Sequence, residues 1–138
     1  MVGDIDFLIS ENDFSKVINI LKKKNYYVPD GQLEYFPKYR HYSRLIKSEN
    51  IAAVEVHNEV IIEEYRDEFD CEIITEDAQQ INNFLVSSFE NQLSLSIISS
   101  QINDYGFDLK VFSLRNAYDV FLLSKKVDTK KTISKFTK

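Results

Sequence analysis

The stretch Gly3-Asp4-Ile5-Asp6-Phe7-Leu8-Ile9, close to the start of the chain, decides the fold and predicts a β-strand. Because side chains alternate along a strand, its Ile and Phe residues would share one face, and Asp4 and Asp6 would project from the other. At the rise of a strand the two carboxylates would lie ~6–7 Å apart. Hard oxygen ligands at that separation can hold divalent cations, and Mg²⁺ prefers carboxylates combined with substrate phosphate oxygens. Gly3 would let a phosphate-bearing ligand approach the backbone closely.

An amphipathic helix is predicted directly after this strand. Ser10 stands at the position of a helix N-cap, and Lys22-Lys23-Lys24 closes the helix where cations favour its C-terminus. Between them apolar residues recur at the spacing i, i+3, i+4 and i+7, namely Phe14, Val17, Ile18 and Leu21. One face of this helix should therefore pack on the sheet.

A short strand and a hairpin are predicted in the first half of the chain. Residues 26–28 form the short strand, because a Pro-Asp-Gly turn signal follows them. The aromatic stretch 32–39 is predicted as a loop. Residues 41–46 and 51–57 would then pair around a polar turn. The second of these strands starts with an apolar run at Ile51, which is expected to be buried on both faces.

This second hairpin strand carries a third acid, Glu55. Along it Glu55 and His57 would point one way, while Val54 and Val56 point the other. A third carboxylate beside the two aspartates would complete a two-metal site. One ion would activate an attacking hydroxyl, and both would stabilise charge during in-line transfer of an α-phosphoryl group. The alternative is a glutamate at the rim of the sheet that faces water. An Asp-x-Asp pair on its own is a weak signal, because such pairs are common at strand ends on solvated surfaces.

The second half of the chain is predicted to be helical. One helix would span residues 76–93, with an apolar stripe at Ile81, Phe84, Leu85 and Phe89. A second helix would continue the pattern and end near Gly106, with apolar residues at Leu95, Ile98 and Ile102. A third helix, with Ser113 as its N-cap, has the most regular stripe, at Leu114, Ala117, Tyr118, Phe121 and Leu122. Stripes of this kind usually form core.

The order of these elements predicts one α+β domain over residues 1–138. A small mixed or antiparallel sheet with helix cover would form residues 1–65 and carry the acidic site. A helical part would follow over residues 76–138. The lysines concentrated at the end of the chain predict a solvated final helix.

The composition excludes several classes of protein. The chain has 138 residues, 43% of them hydrophobic and 28% charged, which is typical of a folded globular domain. The net charge of -5 argues against broad, nonspecific nucleic-acid binding, which needs a basic face. Acidic residues follow Met1 almost at once, which predicts that there is no signal peptide. No apolar run approaches the ~18–20 residues of a membrane span. The single cysteine, Cys71, excludes an internal disulfide, has no redox motif around it and suits the cytoplasm.

Several stretches together resemble one family of proteins. They are the strand that begins at Gly3, the helix after it, the closing Asn25-Tyr26-Tyr27 and the later Val54-Glu55-Val56-His57. They are similar to the bacterial uncharacterised nucleotidyltransferase family of the polymerase-beta-like superfamily, in which a GDIDLLV strand precedes a helix and a GY element, and a later strand reads VElH. The resemblance covers residues 1–65 well. The stretch that begins at Leu114 resembles, less specifically, a motif of the helical half.

The resemblance implies a site and a reaction. Asp4 and Asp6 would bind two Mg²⁺ ions, and Glu55 would be the third acid, activating the acceptor hydroxyl. The substrate would be a nucleoside triphosphate such as ATP, whose nucleoside monophosphate is transferred to a hydroxyl. The acceptor is left open between a protein side chain, a small molecule and an RNA end.

One part of the superfamily pattern has no counterpart in this chain. The superfamily places a helix, a strand and a Gly-Ser phosphate-binding turn before the acidic strand, whereas Met1 precedes Gly3 by two residues. The resemblance therefore predicts an N-terminally truncated domain with impaired activity. An alternative is that a second copy covers the exposed sheet edge, which would make the protein a homo-oligomer.

Two histidines and two arginines are further candidates for a nucleotide site. His57 shares a strand face with Glu55 and could contact a nucleotide phosphate or orient the acid. Arg40 and Arg44 share a face and could pair with a triphosphate or with the acidic surface. His41, beside them, could act as His57 does. For both histidines the alternative is a structural residue with satisfied hydrogen bonds.

Three functions are compatible with these residues. The first is a Mg²⁺-dependent nucleotidyltransferase. The second is a non-catalytic binding or interaction module that keeps only the nucleotidyltransferase fold, which the missing phosphate turn suggests. The third is a metal-dependent nuclease that uses the same acids.

Overall fold

The computed structural model describes residues 3–32 and 40–134. The chain divides into two compact units, residues 1–66 and 67–138. Most of the predicted loop, residues 33–39, and the final lysines Lys135 and Lys138 lie outside the described residues. The fold is α+β, as predicted, and the prediction that the whole chain forms one domain stays a prediction.

The first unit is built on a pair of parallel strands, β1 (Ile5–Leu8) and β2 (Val54–His57). Backbone hydrogen bonds extend the pairing at both ends, from Ile5 N to Ala53 O (2.9 Å) and from Ile9 N to His57 O (2.8 Å). Parallel neighbours need a crossover connection, and the helix α1 (Glu11–Lys23) lies in it. The acidic strand predicted from the sequence is therefore confirmed.

The predicted hairpin partner of β2, residues 41–46, runs in the predicted direction but does not form a continuous strand. Residues 41–46 run antiparallel to β2 and meet it at two isolated bridges, His41 with His57 and Leu45 with Val54. Tyr42 and Leu45 are both buried although they are three residues apart. This spacing does not fit the two-residue period of a strand, so the backbone leaves the ladder between them.

Two other strand predictions for this unit were too long. Residues 26–28 contribute a single antiparallel bridge, between Tyr27 and Ile46. The strand predicted at 51–57 begins only at Val54. Of the apolar run predicted to be buried, Ile51 is 87% exposed, whereas Ala53 and Val54 are buried. The resulting sheet is mixed, as predicted.

The core of the first unit lies between α1 and the sheet. Ser10 is the N-cap of α1, and Phe14 and Ile18 are its buried residues, as the apolar spacing predicted. They pack in one cluster with buried side chains of the sheet, namely Tyr42, Leu45, Val54 and Val56. Phe7, Ile9, Val17 and Leu21 pack against this cluster partly buried, whereas Ile5 is 55% exposed.

The second unit is mainly helical. A 3-10 helix (Glu63–Glu68) leads into it, and its elements are α2 (Cys71–Thr75), β3 (Gln79–Ile81), β4 (Phe84–Val86), α3 (Phe89–Ile102), α4 (Gly106–Leu109), α5 (Leu114–Ser124) and α6 (Thr129–Ser134). Helix α3 packs against α4, α5 and α6. Helix α6 confirms a helical end for the part of the tail that is described. Within the described ranges, every helix is too short or too polar to cross a membrane.

The single helix predicted over residues 76–93 is wrong, because residues 79–86 form the hairpin β3–β4 and a helix begins only at Phe89. The strands are antiparallel, with Ile81 opposite Phe84, and the turn is Asn82-Asn83. Asn82 has a positive φ of 54°, a conformation that asparagine tolerates better than most residues. A single helix, α3, then starts at Phe89 and ends at Ile102, which confirms the predicted end of the second helix.

Helix α5 forms where it was predicted, but none of its residues is buried. Ser113 is its N-cap, with the hydroxyl accepting a hydrogen bond from Asn116 N (3.4 Å). The predicted core stripe is largely exposed, from 85% at Leu114 to 44% at Leu122. Contact with α3 involves a neighbouring face instead, where Asn116 Nδ2 donates to Ser96 O (2.7 Å). The prediction that this stripe is core is therefore wrong.

Candidate functional site

The parallel register of the sheet brings the predicted acids together. Asp6 on β1 lies directly opposite Glu55 on β2. Val54 and Val56 are buried beneath, while Glu55 and His57 are half-buried on the other face, which confirms the predicted alternation. Carboxylates on adjacent strands are thus held side by side by the backbone.

Asp6, Glu55 and His57 form a compact group of potential metal ligands. The Nε2 atom of His57 is 3.5 Å from Asp6 Oδ1 and 3.8 Å from Glu55 Oε2. One ligand atom from each of the three residues lies within 4.8 Å of the other two. Carboxylate oxygen and imidazole nitrogen are both common metal ligands, so the group has the chemistry of a divalent cation site.

Asp4 pairs with an arginine and also lies within hydrogen-bonding reach of Glu55. Arg44 Nη2 lies 2.6 Å from Asp4 Oδ1, and Arg44 is 45% exposed while Asp4 is 24% exposed. Arg40, predicted to act beside Arg44, instead donates from Nη1 to the backbone carbonyl of Val60 (3.4 Å). Of these two arginines, Arg44 therefore contacts a predicted acid, whereas Arg40 contacts the backbone.

His41 lies against His57 but has a backbone partner of its own. Its Nδ1 is 2.8 Å from the carbonyl oxygen of Tyr42, so this nitrogen carries the proton and donates it to that carbonyl. The same atom is 4.0 Å from Glu55 Oε2. The rings of His41 and His57 have centroids 4.9 Å apart and are tilted by 42°. His41 is thus a neighbour of the group, held by the backbone.

Burial shifts the pKa values of the two central side chains in opposite directions. Burial raises the pKa of Glu55, the nearby Asp6 and Asp4 raise it further, and His41 opposes them. Burial lowers the pKa of His57, His41 and Arg40 lower it further, and Asp6 opposes them. The lowered pKa therefore favours the neutral form of the His57 imidazole.

The Nε2 atom of His57 is buried and has no hydrogen-bond partner among the described residues. Leaving a buried polar atom unpaired typically costs about 1–3 kcal/mol. A divalent cation between Nε2 and the two carboxylates would satisfy this atom and offset the repulsion between the acids. The residues present therefore fit a metal ion.

The predicted site residues are only partly brought together. Gly3 precedes the acidic strand, and a side chain there would meet nothing within 4 Å, so its predicted contact with a phosphate stays a prediction. His57 was expected to touch phosphate or orient Glu55, and the structure adds it to the possible metal ligands. Its spacing of two residues from Glu55 signalled a shared face. The register that brings Asp6 to both could not be predicted from that spacing.

Comparison with known proteins extends the resemblance over the whole chain. A family model described as an uncharacterised nucleotidyltransferase matches residues 1–136. No curated protein and no solved structure matches the chain. The match includes both the sheet with the acidic group and the helical unit. The chain therefore belongs to the uncharacterised nucleotidyltransferase family.

Proposed function

We propose that this chain transfers a nucleoside monophosphate from a nucleoside triphosphate, such as ATP, to a hydroxyl group of an acceptor in the cytoplasm. The observation that carries the proposal is the pairing of Asp6 with Glu55 on adjacent strands, beside the Asp4–Arg44 ion pair. Membership of a nucleotidyltransferase family supports the reaction type.

The acids would hold the metal ions that this reaction uses. Asp6 and Glu55, together with Asp4, would bind two Mg²⁺ ions. When bound, such ions neutralise charge on the phosphates and activate the attacking hydroxyl. Glu55 would orient the acceptor hydroxyl and receive its proton. The hydroxyl oxygen forms a bond to the α-phosphorus while the bond to the β-phosphate breaks, and pyrophosphate leaves.

Arg44 would bind the triphosphate. Its guanidinium group is half exposed and already pairs with a carboxylate, and phosphate oxygens can replace that carboxylate in a two-point contact. Asp4 would then be released to bind metal. Gly3 would leave room for the phosphates, while Arg40 and His57 would border them.

The charge of the chain bears on the acceptor. At a net charge of -5 the protein has little attraction for a long polyanion. A protein hydroxyl or a small molecule therefore fits better as the acceptor than a long nucleic acid. An RNA end is the third class of acceptor to be tested.

A transfer assay tests the proposal. The chain is incubated with Mg²⁺, nucleoside triphosphates labelled at the α-phosphate, and fractions of a cell extract as acceptors. We expect labelled acceptor and an equal amount of pyrophosphate. Asp6→Asn should abolish both products, while the matched control Asp13→Asn on the exposed face of α1 should keep them, because Asp13 is exposed and pairs with Lys16 on the same helix.

A non-catalytic binding module is the second candidate. It is favoured by the Asp4–Arg44 ion pair. While this pair is formed, Asp4 is engaged by Arg44 rather than by a metal ion, and Arg44 is engaged by Asp4 rather than by a phosphate. Nucleotide binding that depends on metal, without label or pyrophosphate from any triphosphate, would support this candidate and contradict transfer.

A further inference from the structure

We infer that His57 is a metal ligand, and that Asp6, Glu55 and His57 bind one divalent transition-metal ion before any nucleotide arrives. They bind this ion more tightly than Mg²⁺. The inference rests on the proposed function for the presence of a metal at this site. It adds a ligand, an order of binding and a class of ion.

The positions of the three side chains carry the first step. The Nε2 atom of His57 faces Asp6 Oδ1 at 3.5 Å and Glu55 Oε2 at 3.8 Å. Two atoms bound to one ion at about 2.1 Å lie roughly 3 Å apart, so carboxylate movements of less than about 2 Å would close the group. The side chain of Asp6 is 63% exposed and has room to turn.

The hydrogen bonding of His57 is the second observation that supports a metal ion at this site. A structural histidine in a buried position normally has both ring nitrogens paired. Here Nε2 is buried and has no hydrogen-bond partner in the described part of the chain. A buried imidazole nitrogen beside two carboxylates is suited to bind a cation.

The neighbouring residues show why His57, and not His41 or Asp4, completes the group. His41 uses Nδ1 to donate to the carbonyl of Tyr42 at 2.8 Å, so that nitrogen has no free lone pair. Asp4 pairs with Arg44 at 2.6 Å, and a metal would have to displace a cation already in contact with it. The ligand atoms that lie within 4.8 Å of one another come from Asp6, Glu55 and His57.

The mixture of ligands selects the class of ion. Mg²⁺ is a hard ion that prefers oxygen and keeps its water ligands. Imidazole nitrogen favours transition ions, whose affinity for such sites rises from Mn²⁺ through Co²⁺ and Ni²⁺. A group with one imidazole and two carboxylates should therefore bind Mn²⁺ more tightly than Mg²⁺.

Titration of the metal-free chain with Mn²⁺ alone, followed by electron paramagnetic resonance, tests this inference. We expect one bound Mn²⁺ per chain without nucleotide, displaced by Mg²⁺ only at more than tenfold excess. Pulsed measurements should detect nitrogen coupled to the bound Mn²⁺, and the signal should change on labelling histidine with ¹⁵N. His57→Gln should remove the coupling and weaken Mn²⁺ binding at least tenfold, whereas His41→Gln should keep both.

Three results would overturn the inference. They are bound Mn²⁺ without nitrogen coupling, coupling that survives in His57→Gln, and equal affinity for Mg²⁺ and Mn²⁺. If His57→Gln fails to fold, two measurements still test the inference. They are the change of the Mn²⁺ signal on ¹⁵N labelling of histidine in the unmodified chain, and the nitrogen coupling in His41→Gln. The Mn²⁺ measurement needs no nucleotide. Nitrogen coupling can therefore be detected even if the chain transfers no nucleoside monophosphate, so failure of the proposed function is distinguishable from failure of this inference. Transfer by a chain whose Mn²⁺ has only oxygen ligands would overturn this inference alone.

Discussion

At the scale of single residues, one physical cause acts on Glu55 and His57 with opposite results. Burial penalises whichever form is charged, so it raises the pKa of Glu55 and lowers the pKa of His57. Each side chain is thereby moved toward its neutral form. A divalent cation would favour both the ionised carboxylate and the neutral imidazole. Metal binding would therefore offset the free-energy cost of burying these two side chains.

The free energy of unfolding of the metal-free chain should depend on His57 below pH 6.5. The folded-state pKa of His57 is lowered from 6.5, so as the pH falls the unfolded chain takes up a proton that the folded chain does not. The stability that His57 contributes is complete above pH 6.5 and is lost as the pH falls toward its folded pKa. Denaturant unfolding in EDTA at several pH values measures this, with His57→Asn as the reference.

Glu55 makes the free energy of unfolding depend on pH in the opposite direction. Because Glu55 is present in both proteins, its contribution cancels when the unmodified chain is compared with His57→Asn. Its pKa is raised from 4.5, so its contribution is complete below that pH and is lost as the pH rises through its folded pKa. His41, Asp6 and Arg40 also face His57 and are unchanged in the variant. Parallel stability curves for the two proteins between pH 6.5 and 5 would contradict the prediction.

Arg44→Gln should affect nucleotide binding far more than stability. Its ion pair with Asp4 is half exposed, and such pairs typically contribute about 0–1 kcal/mol. If Arg44 binds phosphate, its loss should weaken nucleotide affinity at least tenfold at constant metal concentration. Denaturant unfolding and calorimetric titration measure the two effects.

A matched control for Arg44→Gln is available on α1. Lys16→Gln removes an exposed ion pair with Asp13 (3.5 Å) and should change stability by a similarly small amount. It should leave nucleotide affinity unchanged. Equal nucleotide affinity in Arg44→Gln and Lys16→Gln would rule out the phosphate-binding role of Arg44.

At the scale of elements, local signals predicted α1 well and the hairpin β3–β4 poorly. Helix α1 has an N-cap, a regular apolar stripe and lysines at its end, and all of these agree. In the hairpin, Ile81, Phe84 and Leu85 happen to have helical spacing, and strands of three residues are too short to show alternation. The informative signal was the pair Asn82-Asn83, which can form a two-residue turn.

Asn91→Ala should destabilise the second unit by about 1–3 kcal/mol, because it leaves two backbone carbonyls without their donor. The buried Nδ2 of Asn91, at the start of α3, donates to Ile73 O (2.9 Å) and Ile74 O (3.2 Å) at the end of α2. Thermal or denaturant unfolding measures the loss. The control Asn19→Ala, on an exposed position of α1, should change stability by less than about 0.5 kcal/mol. Equal effects of the two substitutions would contradict this role of Asn91.

At the scale of the whole molecule, the α+β class and the family could be predicted, whereas the details of the site could not. The alternation around Asp6 and Glu55 is local and was predicted correctly. The pairing of these two residues depends on a register between strands about fifty residues apart in sequence, which no local pattern encodes. The contact of Arg44 with Asp4 depends on the same packing. The exposed stripe of α5 shows likewise that periodicity identifies a helix without identifying which face is covered.

Calorimetric titration of the chain with a non-hydrolysable nucleoside triphosphate, with divalent metal and with EDTA, tests the proposed site most directly. A metal-dependent site at Asp6 and Glu55 predicts binding that is present with metal, absent in EDTA and lost in Asp6→Asn, but kept in Asp13→Asn. Equal affinity with and without metal, or unchanged binding in Asp6→Asn, would contradict it.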